Sequence, residues 1–437
     1  MGKVKGARYL FALALLLIPI EHGTKVNLNL KFWIDPTLIL SLIILVLYGI
    51  RPRPLATWVL VAFSFLCAYV GAVVFPPPGS DLKALNRILE EPIRLALMMA
   101  FFWVCVHFFQ EHRSFALKWL SISAILQFLT AVVLYMVLLT WIPVPNRVAD
   151  MIEHYYGQVV YVGDMKVLRM CGTFTESPLF GSFMFSALVL LWLAVYQEQL
   201  NPGYSRLAIV AALLGSAASL SGQILLGLLP FLGGSILSLR RLKVLPRILL
   251  FLIICLPAPF VTEQIMIRKQ EAEVLGTQEE ISGTSSGGER AWHALFAWDL
   301  FKKSPHLWIT GFGPGRYGGY AAETRLFPDT VYPAMAPVEW MFGYGLGGIL
   351  LVLAWLWVVV RSATKTYGAV FGITAFTALM LANLFQVNWI SESWFMALAY
   401  LYAKATPRGQ DTRREQKRLS VGLRVPPRDL VSHVRTG

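Results

Sequence analysis

The chain has 437 residues, of which 56% are apolar and 14% charged, and its formal net charge is +13. A soluble domain of average composition carries about 25% charged residues, so these proportions exclude an ordinary soluble enzyme and indicate a protein embedded in a lipid bilayer. The four cysteines show neither a metal-binding spacing such as Cys-x-x-Cys nor a disulfide framework.

Hydrophobic segments follow one another along the chain, and several of them are short for a helix that crosses a bilayer in about 20 residues. The first is followed by Glu21 and His22 and lacks a small-residue cleavage site, so we interpret it as a span and not as a signal peptide. Segments 205–220 and 222–239 almost touch and form either a tight hairpin or a broken pair. The twelve predicted spans are 8–21, 36–50, 55–75, 92–110, 117–142, 177–197, 205–220, 222–239, 246–261, 336–360, 367–386 and 390–403.

Basic residues are distributed unequally between the two sides of this arrangement. With the N-terminus in the cytoplasm, the inner loops and the tail hold 23 basic and 5 acidic residues, against 15 and 20 outside, so the net charge is +18 inside and −5 outside. Cytoplasmic loops of membrane proteins carry an excess of Lys and Arg, so both termini are predicted to be cytoplasmic. Anionic lipid headgroups account for this basic charge, and nucleic acid is not an expected partner.

The predicted fold class is an all-α polytopic membrane protein of about 12 transmembrane helices, with a large extracytoplasmic loop before the last three. Residues 1–261 form a membrane domain of about nine spans, 262–335 the loop, and 336–403 a membrane domain of about three spans. Residues 404–437 are basic, polar and without apolar periodicity, which predicts a cytoplasmic tail against the inner leaflet.

Two shorter outer segments, 76–91 and 143–176, precede that loop. The second ends in Arg169-Met-Cys-Gly-Thr-Phe-Thr-Glu176, directly before a span, so Arg169 and Glu176 are expected near the outer interface. An arginine at this depth can bind a phosphate group bidentately. The alternative is that these charged residues only extend from a span end to the interface.

A short amphipathic helix near the membrane surface is predicted at 287–303. Ser286 and Glu289 have capping-box spacing, and Pro305 lies just beyond its end. Arg290 lies in its first turns, where the helix dipole disfavours a cation, so either an anionic ligand or a pair with nearby acids such as Glu289 is expected to compensate it. The apolar residues on one face are Ala291, Ala294, Leu295, Trp298 and Phe301.

Further candidates lie within this helix and after it. Gly311-Phe-Gly-Pro-Gly-Arg316 is not a dinucleotide fingerprint, because it follows no strand and opens no obvious helix. It is either a glycine turn that lets backbone amides or Arg316 approach a ligand, or a plain loop turn. Glu339 lies at the outer mouth of a span, where an ionisable residue is a functional candidate by default. His293 and His306 are either proton-transfer groups or ordinary surface histidines.

Several catalytic motifs are missing from the sequence. It contains no G-x-x-x-x-G-K-[ST] phosphate loop, which argues against ATP hydrolysis within this chain. It contains no Asp-x-Asp and no His, Asp and Glu cluster at metal-ligand spacing, so neither a metal nor a cofactor is expected. The H-E-x-x-H motif of metallohydrolases is absent as well.

The spans, the large outer loop and the outer arginines together resemble the O-antigen polymerase and ligase superfamily, in particular its Wzy-like exopolysaccharide polymerases. Residues 169–178 are similar to an R-x-x-G-x-F-x-E-P stretch of those polymerases. Residues 289–313 resemble the family's loop with an Arg followed by P-x-x-G-x-G, and residues 339–348 its span that begins before G-x-x-G.

The resemblance implies a metal-independent, GT-C-like glycosyltransferase of the bacterial inner membrane. It would transfer a glycan from undecaprenyl diphosphate to an acceptor sugar hydroxyl. On this interpretation Glu339, Arg290 and Glu176 are the catalytic candidates. Arg169, Arg290 and Arg316 would bind the diphosphate. The expected partners are the lipid-linked oligosaccharide, membrane lipids, a chain-length regulator and a flippase.

The sequence departs from the family pattern at two places. Many members have a His–Asn pair eleven residues before the position of Gly345, where this chain has Ala334. The Ser-Arg often found after the seventh span is Ser221-Gly-Gln223 here. Both departures favour a divergent polymerase over a ligase. The alternatives are ligase-type glycan transfer to lipid or protein, and a transporter of lipid-linked oligosaccharide. A transporter needs a charged path through the bundle, and the predicted spans are nearly free of charge at mid-depth.

Overall fold

The chain is that of a helical membrane protein, seen here in a computed structural model. The described residues are 2–18, 26–28, 32–50, 52, 55–74, 82–156, 159–162, 165–174, 177–197, 202–238, 286–317, 320, 336–384 and 391–403. Within them, five helices are long and apolar enough to cross a bilayer: Thr57–Val74, Leu89–Glu111, Arg113–Leu138, Pro178–Tyr196 and Pro337–Tyr367. Five further apolar helices are shorter.

Helices occupy eleven of the twelve predicted hydrophobic segments. The twelfth, 246–261, lies outside the described residues, as do 262–285 and the tail 404–437. The helix predicted at 287–303 is present as α10. The helices are α1 (Gly2–Leu17), α2 (Pro36–Tyr48), α3 (Leu55–Tyr69), α4 (Leu82–Glu111), α5 (Arg113–Leu138), α6 (Asn146–Tyr156), α7 (Ser177–Tyr196), α8 (Pro202–Ala218), α9 (Gly222–Ser238), α10 (Ser286–Lys303), α11 (Ala336–Tyr367), α12 (Ala369–Leu384) and α13 (Glu392–Tyr402).

Short helical turns complete some of these elements. A π-helical turn, Val70–Val74, continues α3, and a 3-10 turn, Pro305–Leu307, follows α10. Helices α8 and α9 are joined by only three residues, yet α8 packs mainly on α5 and α7 whereas α9 packs mainly on α12. The two are therefore a broken pair and not a packed hairpin.

Two short antiparallel hairpins, which the sequence analysis did not predict, lie between the helices. β1 (Val26–Leu28) pairs with β2 (Phe32–Ile34), and β3 (Val159–Val162) pairs with β4 (Met165–Leu168). The second hairpin had a sequence signal, since β-branched and aromatic residues flank Gly163-Asp164, a dipeptide typical of two-residue hairpin loops. Both are small additions to a helical architecture.

Helix α4 begins ten residues earlier than predicted, so residues 82–91 belong to it and not to an outer loop. Pro92 lies inside the helix, where it lacks an amide hydrogen and removes one backbone hydrogen bond. The predicted span starts at Pro92 for this reason. Because α4 nevertheless continues through it, Glu91 and Arg94 lie within the bundle.

The core of the bundle surrounds its last helix. Every residue of α13 from Ser393 to Leu401 is buried, and the helix packs on α4, α7, α11 and α12. On the outside, by contrast, large apolar side chains are exposed, among them Val46, Leu47, Trp58, Leu350 and Trp357. An apolar exterior of this extent requires an apolar solvent, which a bilayer supplies.

Candidate functional site

Two glycine-rich segments join the 305–317 loop to a break in α11. At the break, Gly345 has φ +61° and ψ −165°, far from helical values. Backbone hydrogen bonds cross the junction, from the amide of Phe312 to the carbonyl of Phe342 at 2.7 Å and from the amide of Leu346 to the carbonyl of Trp308 at 2.7 Å. These bonds satisfy backbone groups that the break releases.

The glycines at this junction serve close packing between backbones. A Cβ on Gly311 would lie 2.5 Å from the carbonyl oxygen of Phe342, and Gly313 approaches Gly71 in the π-helical turn. The predicted turn at Gly311-x-Gly313 therefore exists, but Gly311 and Gly313 face protein backbone. The backbone amides of this turn are therefore not the group that approaches a ligand. Arg316, at the end of the segment, is the remaining candidate for ligand contact.

Gly345→Ala is expected to lower thermal stability and the yield of folded protein strongly. Its Cβ would lie 2.5 Å from the Trp308 carbonyl oxygen and 2.6 Å from the Gly311 nitrogen, and its φ is positive. Gly49→Ala is the matched control, because Gly49 has φ +60° with nothing within 4 Å of a Cβ, so only the backbone strain of about 1–2 kcal/mol applies. Unfolding in detergent measures both, and equal melting temperatures would contradict the packing role.

Arg316 is the most unusual side chain of the junction. It is 2% exposed, and its Nε and Nη1 have no hydrogen-bond partner among the described residues. Burial lowers its pKa, while Tyr320 acts in the opposite direction. Since an arginine stays protonated in proteins, the site holds a buried positive charge, which costs several kcal/mol unless an anion compensates it.

Aromatic side chains hold the backbone on either side of Arg316. Tyr317 and the Nδ1 atom of His293 on α10 form a buried hydrogen bond of 2.6 Å. The rings of Phe312 and Phe342 stack with centroids 4.7 Å apart, and Tyr317 packs edge-on against Phe342 at 5.1 Å. His293 is therefore part of this core and not a surface histidine, whereas His306 is exposed.

A second group of polar residues lies where α2, α4, α11 and α13 converge. Glu339 in the first turn of α11 is 8% exposed and interacts electrostatically with Glu91 and Arg94 of α4. Arg94 also interacts with Glu392, the first residue of α13, and the carboxyl groups of Glu392 and Asp35 are in hydrogen-bond contact. We call Asp35, Glu91, Arg94, Glu339 and Glu392 the carboxyl cluster.

Local structure explains this convergence. Asp35 is the N-cap residue of α2, which Pro36 begins with its preset φ angle. Ser391 is the N-cap residue of α13. The first turns of α11 and α13 are held together by the stacked rings of Trp340 and Trp394, whose centroids are 6.2 Å apart.

The carboxyl cluster and Arg316 both adjoin the end of α3. A Cβ on Gly313 would lie 3.5 Å from the Cγ of Arg316 and 3.5 Å from the carbonyl oxygen of Cys67. Tyr344 accepts a hydrogen bond from Ser64 at 3.4 Å and interacts electrostatically with Cys67, Glu91 and Glu339. The structure thus brings Arg316 and Glu339, which are 23 positions apart in sequence, to one region at the end of α3.

The other predicted site residues have different positions. Arg169 lies before α7, and its Nε donates a hydrogen bond to the Ser219 carbonyl at 3.0 Å, which ties the loop to the α8–α9 turn. Glu176 lies outside the described residues. Arg290 is in the first turns of α10, and its side chain is not among those that the structure describes.

The apolar stripe predicted on α10 is not the face that packs against the rest of the protein. Leu295 and Trp298 are exposed, and of the predicted stripe Phe301 is buried. The packed face instead contains Trp292 and His293 together with Ala297 and Phe301. Hydrophobic periodicity alone could not choose between these faces, because a histidine lies at the centre of the buried one.

Four members of the carboxyl cluster are not among the predicted site residues: Asp35, Glu91, Arg94 and Glu392. Each has a signal in the sequence. Asp35 and Glu392 lie at the mouths of spans, where the argument used for Glu339 applies equally. Glu91 and Arg94 are three residues apart and share a helix face. The predicted span starts at Pro92, so it includes Arg94 and leaves Glu91 outside the helix.

The arrangement offers a buried guanidinium in the same region as a group of carboxyls, of which Glu91 and Glu339 are buried. A guanidinium binds phosphate oxygens bidentately, and a carboxylate can accept a proton from a hydroxyl. Among the described residues, no three His, Cys, Asp or Glu side chains lie in an arrangement that could hold a metal ion. No family model matches the chain, and no curated protein matches it.

Proposed function

We propose that this protein is an inner-membrane polysaccharide polymerase of the O-antigen or exopolysaccharide kind. Its substrate would be an undecaprenyl-diphosphate-linked oligosaccharide, transferred to the hydroxyl of an acceptor sugar. The observation that carries the proposal is Arg316, buried with two guanidinium nitrogens that no described residue satisfies. A buried arginine of this kind indicates an anionic ligand, and the diphosphate of a lipid carrier is such a ligand within reach of a membrane protein.

Glycan transfer requires the protein to stabilise negative charge on the leaving group and to remove a proton from the acceptor hydroxyl. The acceptor oxygen attacks the anomeric carbon while the bond from that carbon to the diphosphate oxygen breaks, so negative charge grows on the leaving lipid diphosphate. Arg316, aided by Arg290 and Arg169, would stabilise that charge. Glu339 would accept the proton of the acceptor hydroxyl, a role for which Glu176 is the other candidate.

Reconstitution tests this function directly. The purified protein is placed in liposomes with lipid-linked oligosaccharide from a strain of its own organism that lacks the gene, and chain growth is followed by gel electrophoresis. We expect polymer to form with excess EDTA present, because arginines and not a metal ion neutralise the diphosphate. Activity that disappears in EDTA and returns with a divalent ion would refute the arginine account, and the absence of chain growth in all conditions would refute the polymerase.

The proposal includes a topology of about twelve spans with both termini in the cytoplasm, supported by the charge distribution of +18 and −5. Cysteines introduced at Ser285 and at Ser420 in the tail test it with a membrane-impermeant thiol reagent. In intact cells we expect labelling at position 285 alone, and labelling at 420 after permeabilisation. The opposite pattern in intact cells would invert the topology.

A transporter of lipid-linked oligosaccharide is the second candidate, and the carboxyl cluster favours it. Glu91 and Arg94 of α4 are charged residues within the bundle, next to the start of the predicted span 92–110 and not at the mid-depth to which the prediction of nearly charge-free spans refers. Charged groups inside a bundle mark substrate or proton paths in transporters. In the same liposomes, a transporter would move lipid-linked oligosaccharide across the bilayer without lengthening it. Transfer to a lipid or protein acceptor would instead indicate the ligase-type activity.

A further inference from the structure

Four carboxyl groups in the carboxyl cluster surround a single arginine. Asp35 and Glu392 form one pair in hydrogen-bond contact, and Glu91 and Glu339 form a second pair in electrostatic contact. Arg94 interacts with a member of each pair, Glu392 and Glu339. If all four carboxyls were ionised, one positive charge would face four negative ones.

The first pair has a chemical requirement. An ionised carboxylate is only a hydrogen-bond acceptor, so a hydrogen bond between two carboxyl groups needs a proton on one of them. The Oε1 atom of Glu392 is buried and has no hydrogen-bond partner among the described residues. Burial and the neighbouring Asp35 favour the protonated form of Glu392, whereas Arg94 and the residue's own backbone amide favour the ionised form.

An independent observation indicates that the second pair also holds a proton. Glu339 is 8% exposed, its Oε2 has no partner among the described residues, and it faces Glu91, which is 2% exposed. Two carboxylates close together in a medium of low polarity repel each other and lose their hydration, so both remain ionised only if cations compensate them. Arg94 supplies one such charge for both pairs.

We propose that Asp35, Glu91, Glu339 and Glu392, arranged around Arg94, form a proton-binding site that retains one or more protons at neutral pH. Tyr344 on α11 is a further titratable residue in electrostatic contact with Glu91 and Glu339, and its hydroxyl also interacts with the thiol of Cys67 on α3. Asp35, the N-cap residue of α2, is partly exposed. The inference holds whichever reaction the protein performs, and in the proposed polymerase the site would lie where the acceptor proton is released.

Carbodiimide labelling tests the site without substrate. Dicyclohexylcarbodiimide is apolar and adds to protonated carboxyls, and the N-acylurea that forms is located by mass spectrometry of peptides. In the full-length protein at neutral pH we expect label on Glu392, whose hydrogen-bond contact with the carboxyl of Asp35 requires a proton. Glu111, exposed to solvent at the other end of α4, is the matched carboxyl outside the cluster and should carry less label.

Raising the pH should remove the label from the cluster, and Arg94→Gln should preserve it to higher pH, because loss of the cation leaves more charge to be compensated by protons. Infrared difference spectra of a pH titration provide a readout that does not depend on reagent access. The carbonyl band of a protonated carboxyl should be present in the unmodified protein and reduced in Glu392→Gln. The proposal is overturned if no such band titrates, or if a metal cation at constant pH abolishes band and labelling together.

Because neither measurement involves polymer, a failure of the proton-binding site is distinguishable from a failure of the proposed function.

Discussion

Arg316→Ala and Arg316→Lys are both expected to abolish polymer formation while the protein still inserts into the membrane. Removal of one group that stabilises developing negative charge costs about 10²–10³ in rate. Lysine keeps the positive charge but lacks the planar fork that binds two phosphate oxygens, so it should not restore the rate. The initial rate of chain growth in liposomes is the measurement.

Arg147 provides the matched control for this experiment, since it is an exposed arginine on α6. Arg147→Lys should leave the rate unchanged. The same pair of substitutions at Arg290 should cause a loss as large as that at Arg316 if both contact the diphosphate. Normal polymer from both Arg316 variants would remove the observation on which the proposed function depends, and normal polymer from both Arg290 variants would make that residue a structural part of α10.

Glu339→Gln is expected to slow turnover by about 10²-fold or more, the usual contribution of a general base. Glutamine keeps the shape and the hydrogen-bonding capacity of the side chain but cannot take up a proton at this pH. Glu153→Gln, at an exposed position of α6, should have no effect. Rates with saturating lipid-linked substrate separate a loss of turnover from a loss of binding.

Full activity of Glu339→Gln would reject the base while leaving the polymerase intact. In that case the next variant is Glu91→Gln, because Glu91 is the carboxyl that faces Glu339. If only Glu91→Gln loses activity, Glu91 and not Glu339 accepts the proton of the acceptor hydroxyl. Activity in both single variants and in the double variant would show that proton removal needs neither carboxyl.

Helix positions were predictable because each apolar segment must satisfy its backbone hydrogen bonds internally in a bilayer. This constraint acts within a segment, so the segment's own composition reveals it. The start of α4 was not predictable in this way. Pro92 and the charges before it are local signs of a span end, whereas burial of Glu91 among α2, α11 and α13 depends on neighbours far away in sequence.

Single candidates were also visible from position. Glu339 at a span mouth and Arg316 beside a glycine turn were both singled out, and both are buried. The face of α10 was not predictable, because a buried histidine bonded to Tyr317 looks polar in sequence. The hairpin of β3 and β4 was missed although Gly163-Asp164 between apolar runs was a sufficient local signal.

By itself, the sequence determined that this is a helical membrane protein, because hydropathy is a sum over local residues, and its charge distribution predicts a basic cytoplasmic side. It also supplied the glycines that permit the loop and α11 to approach each other. Only the tertiary structure decided that Arg316 loses contact with solvent at the end of α3 and that four carboxyls from four helices meet around Arg94. Desolvation and charge pairing depend on distances between segments, and neither quantity exists until the helices pack.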